Sequence, residues 1–257
     1  MSETPFEWPR RSLDGAYTLP SRYFYDPSVF EAEKQAIFYR SWHLAGHLGE
    51  VSKAGQFITV EIFEQSVIVV RGLDGVLRAF HNVCQHRGNR LVTERRGHVK
   101  AFKCTYHAWL YGLDGDLRGA PRTERLSGFD TSQFGLSPVR VQSFAGFAYV
   151  NLDKDAEDMD VLFPGAEDFL LDLCPDMDDM VLDSEEDLII PANWKVVVDN
   201  AIESYHVMLS GPCHKELAKT CRFAVATGGH WAGRRGRVWI TCLVCRSMMS
   251  PIKQRLT

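Results

Sequence analysis

The hydrophobic pattern changes period along the chain, and that change divides it. Val29, Phe30, Ile37, Phe38 and Trp42 recur at helical gaps behind Asp26-Pro27, an N-cap residue followed by proline at the first helical position. A one-sided helix is predicted from there to about Trp42. From Gln56 the signal becomes β: residues 57–63 (F-I-T-V-E-I-F) and 66–70 (S-V-I-V-V) are rich in β-branched and aromatic side chains. Asp74-Gly75 reads as a hairpin turn into residues 76–80, and a second such signal follows at Asp114-Gly115. Residues 45–145 therefore read as a small all-β domain. The acidic stretch 153–187, with Pro164 and Pro175, reads as a surface passage between domains. Ala192-Asn193-Trp194 opens a helical pattern that runs through Val207 and stops at Gly211-Pro212. No internal repeat is read.

Composition adds a class: with 45% hydrophobic, 24% charged and 11% aromatic residues, the chain is that of a globular protein with a real core. It opens without a secretory signal and contains no apolar run long enough for a membrane span, so a cytoplasmic protein with no membrane partner is expected. Its seven cysteines are then better read as metal ligands or core residues than as disulfides. The net charge of −4 hides an asymmetry. All 33 acidic residues lie at or before Glu216, while residues 217–257 carry eight basic ones. Such a tail suits an acidic surface or nucleic acid; a segment with no designed role is the plainer account, and no nucleic-acid partner is expected.

The chemistry concentrates in Cys84-Gln85-His86-Arg87-Gly88 and, with seventeen residues intervening between His86 and Cys104, Cys104-Thr105-Tyr106-His107-Ala108-Trp109. Two Cys/His pairs on neighbouring β-turns place four ligands, Cys84, His86, Cys104 and His107, around one site. Two thiolates and two neutral imidazoles suit a [2Fe–2S] cluster whose potential is raised by the neutral pair. A four-ligand zinc site is the alternative, although zinc modules generally use Cys-x(2–4)-Cys knuckles. Cys174, Cys213 and Cys221 have no comparable partners, and Cys242-x-x-Cys245 has no second pair nearby. Arg87, Arg90, Arg95, Arg96, Lys100 and Lys103 surround the pairs and either dock an acidic partner or form a solvated face.

Downstream, Asp199, Glu203 and His206 in N-W-K-V-V-V-D-N-A-I-E-S-Y-H are spaced four and three apart, so a helix puts them on one face. A histidine with an acidic neighbour there suits a metal ligand and its support; a surface acidic row is the bland account.

Residues 80–88 and 104–109, with L-P through W-H-L-A-G near the start and the 193–206 motif, resemble the oxygenase (alpha) subunits of Rieske non-haem iron oxygenases. The resemblance covers about residues 16–216. It implies an α+β chain: a helical segment 1–44, an all-β Rieske [2Fe–2S] domain 45–145, and an incomplete α+β helix-grip catalytic domain over 146–232. It further implies that His206 binds Fe(II), that Glu203 bridges a Rieske histidine of one subunit to the iron of the next, and that Asn200 lies near the iron. A second iron-binding histidine is expected at His214, three residues beyond where the family places it, with His230 less favoured. The family's electron source is NAD(P)H through a ferredoxin or flavin reductase, its co-substrate O₂, its products hydroxylated aromatics or oxidised quaternary amines, and its assembly a homotrimer. Iron sites that activate O₂ use two histidines and one carboxylate, and no Asp or Glu follows Glu216. The tail from about Gly233 loses any match, so a shortened or frame-shifted product, impaired in catalysis, is the competing expectation.

Overall fold

The computed structural model describes residues 18–123, 125–183, 185, 189–202, 211–212 and 249–251. The chain divides into two compact units, one of residues 1–33 and 188–238, the other of 34–187 and 239–257. The helices are α1 (Arg22–Tyr25), α2 (Pro27–Ala36), α3 (Met159–Leu162), α4 (Ala166–Leu173) and α5 (Trp194–Ile202). None of the described helices is long and apolar enough to cross a membrane.

Ten strands build the β-rich body of the second unit: β1 (His43–His47), β2 (Gln56–Ile62), β3 (Gln65–Arg71), β4 (Leu77–His81), β5 (Arg96–His98), β6 (Phe102–Lys103), β7 (Leu110–Tyr111), β8 (Leu117–Gly119), β9 (Pro138–Phe144) and β10 (Phe147–Asn151). They form a seven-stranded sheet, ordered β1-β10-β9-β4-β3-β2-β5, and a three-stranded sheet β6-β7-β8, antiparallel throughout. A further pair joins β11 (Met180–Leu182) to β12 (Met249–Pro251).

Strand β3 shows why the large sheet sits where it does. Val67, Ile68, Val69 and Val70 are all 0% exposed, so the strand is covered on both faces, and its apolar run is continuous rather than alternating. Ile68 and Val70 point into a core with Phe57, Phe80, Phe102, Trp109, Tyr111 and the two motif cysteines. Val67 and Val69 point the opposite way, into a core with Ile58, Ile62, Ala79 and Val150. Each such side chain contributes roughly 1.5–3 kcal/mol relative to exposure. The first of these cores fastens the small sheet, which carries the second Cys/His loop, onto the large one.

One expectation is corrected. The helix expected from Asp26-Pro27 is α2, which stops at Ala36, short of Trp42, although Asp26 does cap it by accepting from the Ser28 N–H at 2.9 Å. Phe38 instead packs edge-on against Phe63 at 5.0 Å, and the Trp42 indole donates to the Glu157 carbonyl at 2.9 Å. Tertiary packing takes these residues away from the helical period. The acidic stretch, up to residue 187, clusters with the unit that holds the sheet. There, Gln142 accepts from the Met159 N–H and Glu167 from the Ala145 N–H, at 2.8 and 2.7 Å.

A short repeat is also present. G-L-D-G-V-L-R (72–78) and G-L-D-G-D-L-R (112–118) agree at six of seven positions. Both fold into the same turn: Gly75 donates to the Gly72 carbonyl and Gly115 to that of Gly112, each at 3.1 Å, with Asp74–Arg78 and Asp114–Arg118 pairs across each turn.

In the other unit, α5 is held by a buried ion pair. Lys195 donates to both Glu33 oxygens at 2.7 and 2.8 Å, the Trp194 indole donates to Glu33 at 2.8 Å, and Lys195 and Glu33 are 8% and 9% exposed.

Candidate metal centre

The two Cys/His loops are built to one backbone plan. In residues 84–89 the Cys84 N–H donates to the Asn89 carbonyl at 2.8 Å, and the Gly88 N–H donates back to the Cys84 carbonyl at 3.0 Å. In residues 104–109 Cys104 donates to Trp109 and Ala108 back to Cys104, at the same two distances. The fifth residue of each loop takes a left-handed conformation, Gly88 at φ 68° and Ala108 at φ 59°. A glycine meets that requirement without strain and an alanine does not. The first loop is anchored by Asn82, buried at 4% exposure. Its amide donates to the Val92 carbonyl at 2.7 Å, while its oxygen accepts from the Leu91 and Val92 N–H groups.

The loops bring all four expected side chains together. Cys84 and Cys104 are buried and free. The His86 and His107 rings lie 4.5 Å apart at 77°. The Nδ1 atom of each is buried with no hydrogen-bond partner. A desolvated, unbonded ring nitrogen is costly unless something else meets it. Two buried thiols and two such nitrogens, on loops whose imidazoles lie 4.5 Å apart, match the donor set of a two-Cys, two-His [2Fe–2S] cluster, so the residues fit the group. Among the described residues no three His, Cys, Asp or Glu side chains gather tightly enough for a single metal ion; a two-iron cluster spreads its ligands over two metals.

Electrostatics agree with that donor set. Burial pushes the Cys104 thiol up, but the N–H groups of Tyr106 and His107, then Cys84 and Asn89, outweigh it and bring it below its ordinary value. Burial first, then the neighbouring His86 and Arg87 charges, hold His107 down and favour the neutral ring. The Gln85 N–H donates to the Tyr111 hydroxyl oxygen at 3.0 Å, which leaves the hydroxyl hydrogen for Cys84 Sγ at 3.3 Å. Burial, then this contact with Cys84, raises the Tyr111 phenol well above its usual range, so it stays a donor. Trp109, from the second loop, stacks on His86 of the first at 4.8 Å and 12°.

Tyr111 and Asn89 were not among the expected site residues. Tyr111, on β7, stands two positions after Trp109, and their rings lie 6.5 Å apart; that spacing was the available signal.

Of the six basic residues expected around the pairs, three are engaged by carboxylates. Arg90 pairs with Glu61 at 2.8 Å, Arg96 with Glu50 at 3.3 Å, and Arg95 and Arg96 both with Glu185. Arg87, Lys100 and Lys103 form no ion pair among the described residues. Of the second site, Asn200 lies on α5 and is exposed. Glu203, His206 and His214 lie outside the described residues, as does His230.

Residues 41–139 match the Rieske [2Fe-2S] domain family, and residues 177–253 match the ring hydroxylating alpha subunit (catalytic domain) family. The chain is similar to the carnitine monooxygenase oxygenase subunit of Escherichia coli (strain K12), 37% identical over 221 residues, 86% of this chain and 59% of the relative. It is also similar to the glycine betaine monooxygenase oxygenase subunit of Pseudomonas aeruginosa (strain UCBPP-PA14), 36% identical over 210 residues, 82% and 48% of the two chains. A solved quaternary ammonium Rieske monooxygenase, studied for carnitine oxidation and inter-subunit electron transfer, superposes with a TM-score of 0.70 at 36% identity, covering 75% of this chain and 52% of that one. The chain thus spans between 48% and 59% of the length of these curated relatives.

Proposed function

The chain belongs to the family of Rieske oxygenase alpha subunits, and from that premise we propose that it acts as the oxygenase component of a Rieske non-haem iron oxygenase. Cys84, His86, Cys104 and His107 hold the [2Fe–2S] cluster, residues 45–145 are its domain, and residues 146–232 begin the catalytic domain. His206 and His214 bind Fe(II), with Asn200 beside it and Glu203 joining it to the cluster of a neighbouring subunit in a homotrimer. The observation that carries this reading is the convergence of two free thiols and two buried, unbonded Nδ1 atoms between loops of one plan.

The cluster, when bound, supplies one-electron transfer at a potential of roughly −150 to +300 mV. The chain's own residues shape that step. Tyr111 donates toward Cys84 Sγ, Trp109 covers one face of His86 and keeps water from it, and the His107 ring lies tilted at 36° against the exposed Tyr106 ring, centroids 3.8 Å apart. A ferredoxin or flavin reductase fed by NAD(P)H is the electron donor and O₂ the co-substrate. The names of the relatives support a quaternary ammonium substrate ahead of an aromatic one.

A second reading is a Rieske electron-transfer protein in which the cluster alone is loaded, since the cluster residues are the ones that the described residues bring together. Iron and sulfide counting decides between them. Three irons and two sulfides per chain, with O₂ uptake on adding reductant and substrate, are expected. Two irons and two sulfides leave the electron-transfer reading, and a colourless protein with neither overturns both.

A further inference from the structure

Asn89 closes the first loop but reaches into the second. Its Nδ2 donates to the Arg90 carbonyl at 2.8 Å, and because a carbonyl only accepts, that bond fixes which end of the amide is nitrogen. The remaining N–H of the same group has two acceptors, Thr105 Oγ1 at 3.3 Å and Cys104 Sγ at 3.7 Å. Both belong to the second loop. The side chain is half-buried and its backbone carbonyl is already spent on Cys84, so the amide is held in place from two directions.

Each sulfur is thereby approached by a side chain from outside its own loop: Cys84 by Tyr111, and Cys104 by Asn89. A donor aimed at a thiolate stabilises negative charge on sulfur, and the reduced cluster carries one more negative charge than the oxidised one. Hydrogen bonds to the sulfurs therefore raise the reduction potential.

Resting on the assignment of Cys104 as a cluster ligand, we propose that Asn89 is a positioning residue that ties the two loops together across the cluster and, by sharing one N–H between Thr105 Oγ1 and Cys104 Sγ, sets the cluster's reduction potential, with Thr105 as its competitor. The electron concerned is the single one delivered by the reductase or ferredoxin, and no other group changes oxidation state.

The competition makes the proposal sharper than a simple loss of contact. Asn89→Ala removes the donor and shifts the midpoint potential to lower values. Thr105→Ala removes the rival acceptor, leaves the N–H to sulfur alone, and shifts the midpoint to higher values. In the double variant the Thr105 effect disappears, and the midpoint equals that of Asn89→Ala.

The test is a spectroelectrochemical titration of the full chain carrying its cluster, with EPR of the reduced form confirming that the cluster is intact. Opposite shifts from the two single variants support the assignment. An unchanged midpoint in Asn89→Ala overturns it, as does a Thr105→Ala midpoint that is unchanged or lowered. If Asn89→Ala fails to hold a cluster, the Thr105→Ala result alone decides. Cys104→Ser keeps the dependency visible: a variant that retains the full visible spectrum would remove the ligand assignment itself, separately from the role of Asn89.

Discussion

Cys84, His86, Cys104 and His107 stand out as candidates because metal coordination demands fixed residue types within a few positions of one another, and that demand is visible without knowledge of the fold. Tyr111 and Asn89 do not, because each acts on the loop it does not belong to. Tyr111 meets Cys84 only after β7 pairs with β6 and the small sheet packs on the large one. Replacing it tests that contact. Tyr111→Phe keeps the ring in the core and deletes one charge-assisted hydrogen bond, about 1.4 kcal/mol, which for one electron is roughly 60 mV. The midpoint potential is expected to fall by that order, as measured by redox titration, with iron content unchanged. Equal potentials in the two proteins would show that the hydroxyl does not act on the sulfur.

At the scale of elements, the strands over 57–63 and 66–70 and the hairpin at Asp74-Gly75 follow from residue type and turn chemistry, which are local. The end of α2 departs from the periodicity because Phe38 and Trp42 keep helical spacing but are claimed by Phe63 and Glu157. The G-L-D-G-x-L-R repeat is weak in the sequence, since it spans only one turn in each copy. The shared loop plan makes unequal predictions for its two left-handed positions. Gly88→Ala adds a methyl with only Val83 Cγ2, at 4.0 Å, near it, so the cost is conformational, about 1 kcal/mol. Ala108→Gly at φ 59° relieves the same strain and loses little or gains slightly. Urea titration of both variants separates them, and similar destabilisation would contradict the plan.

The turn after β2 gives a pH signature. Lys34 Nζ and Tyr39 Oη each donate to Glu64 at 2.7 Å, and these bonds hold its carboxyl down to about 2, from an ordinary 4.5. A lowered folded value means that the stabilisation is complete above about 4.5 and is lost as pH falls through about 2. The stability difference between the native protein and Glu64→Gln should be constant at neutral pH, shrink below pH 4.5, and vanish near pH 2. Acid titration followed by circular dichroism measures it, and a difference that persists at the acid end would exclude this origin.

For the molecule as a whole, burial on both faces of β3 was only half visible: an apolar run announces a covered strand but not what covers it. The N-terminal helix and α5, distant in sequence, share the Glu33–Lys195 pair, which no periodicity reveals. Lys195→Met leaves the Glu33 charge buried and unpaired, at a cost of about 3 kcal/mol or more. Glu33→Gln with Lys195→Met leaves no buried charge and should recover most of that loss. Thermal or urea unfolding compares the two, and a double variant no more stable than the single one would rule out charge burial as the cause.

The exchange of side chains between the loops reaches further than either contact. Each loop supplies one sulfur and one imidazole, Trp109 of the second steadies His86 of the first, and Asn89 of the first holds Cys104 of the second. Neither loop alone is a complete half-site. If these four residues hold the cluster, its assembly is expected to be all-or-none, and an iron-starved population would hold filled and empty cluster sites side by side instead of half-built clusters.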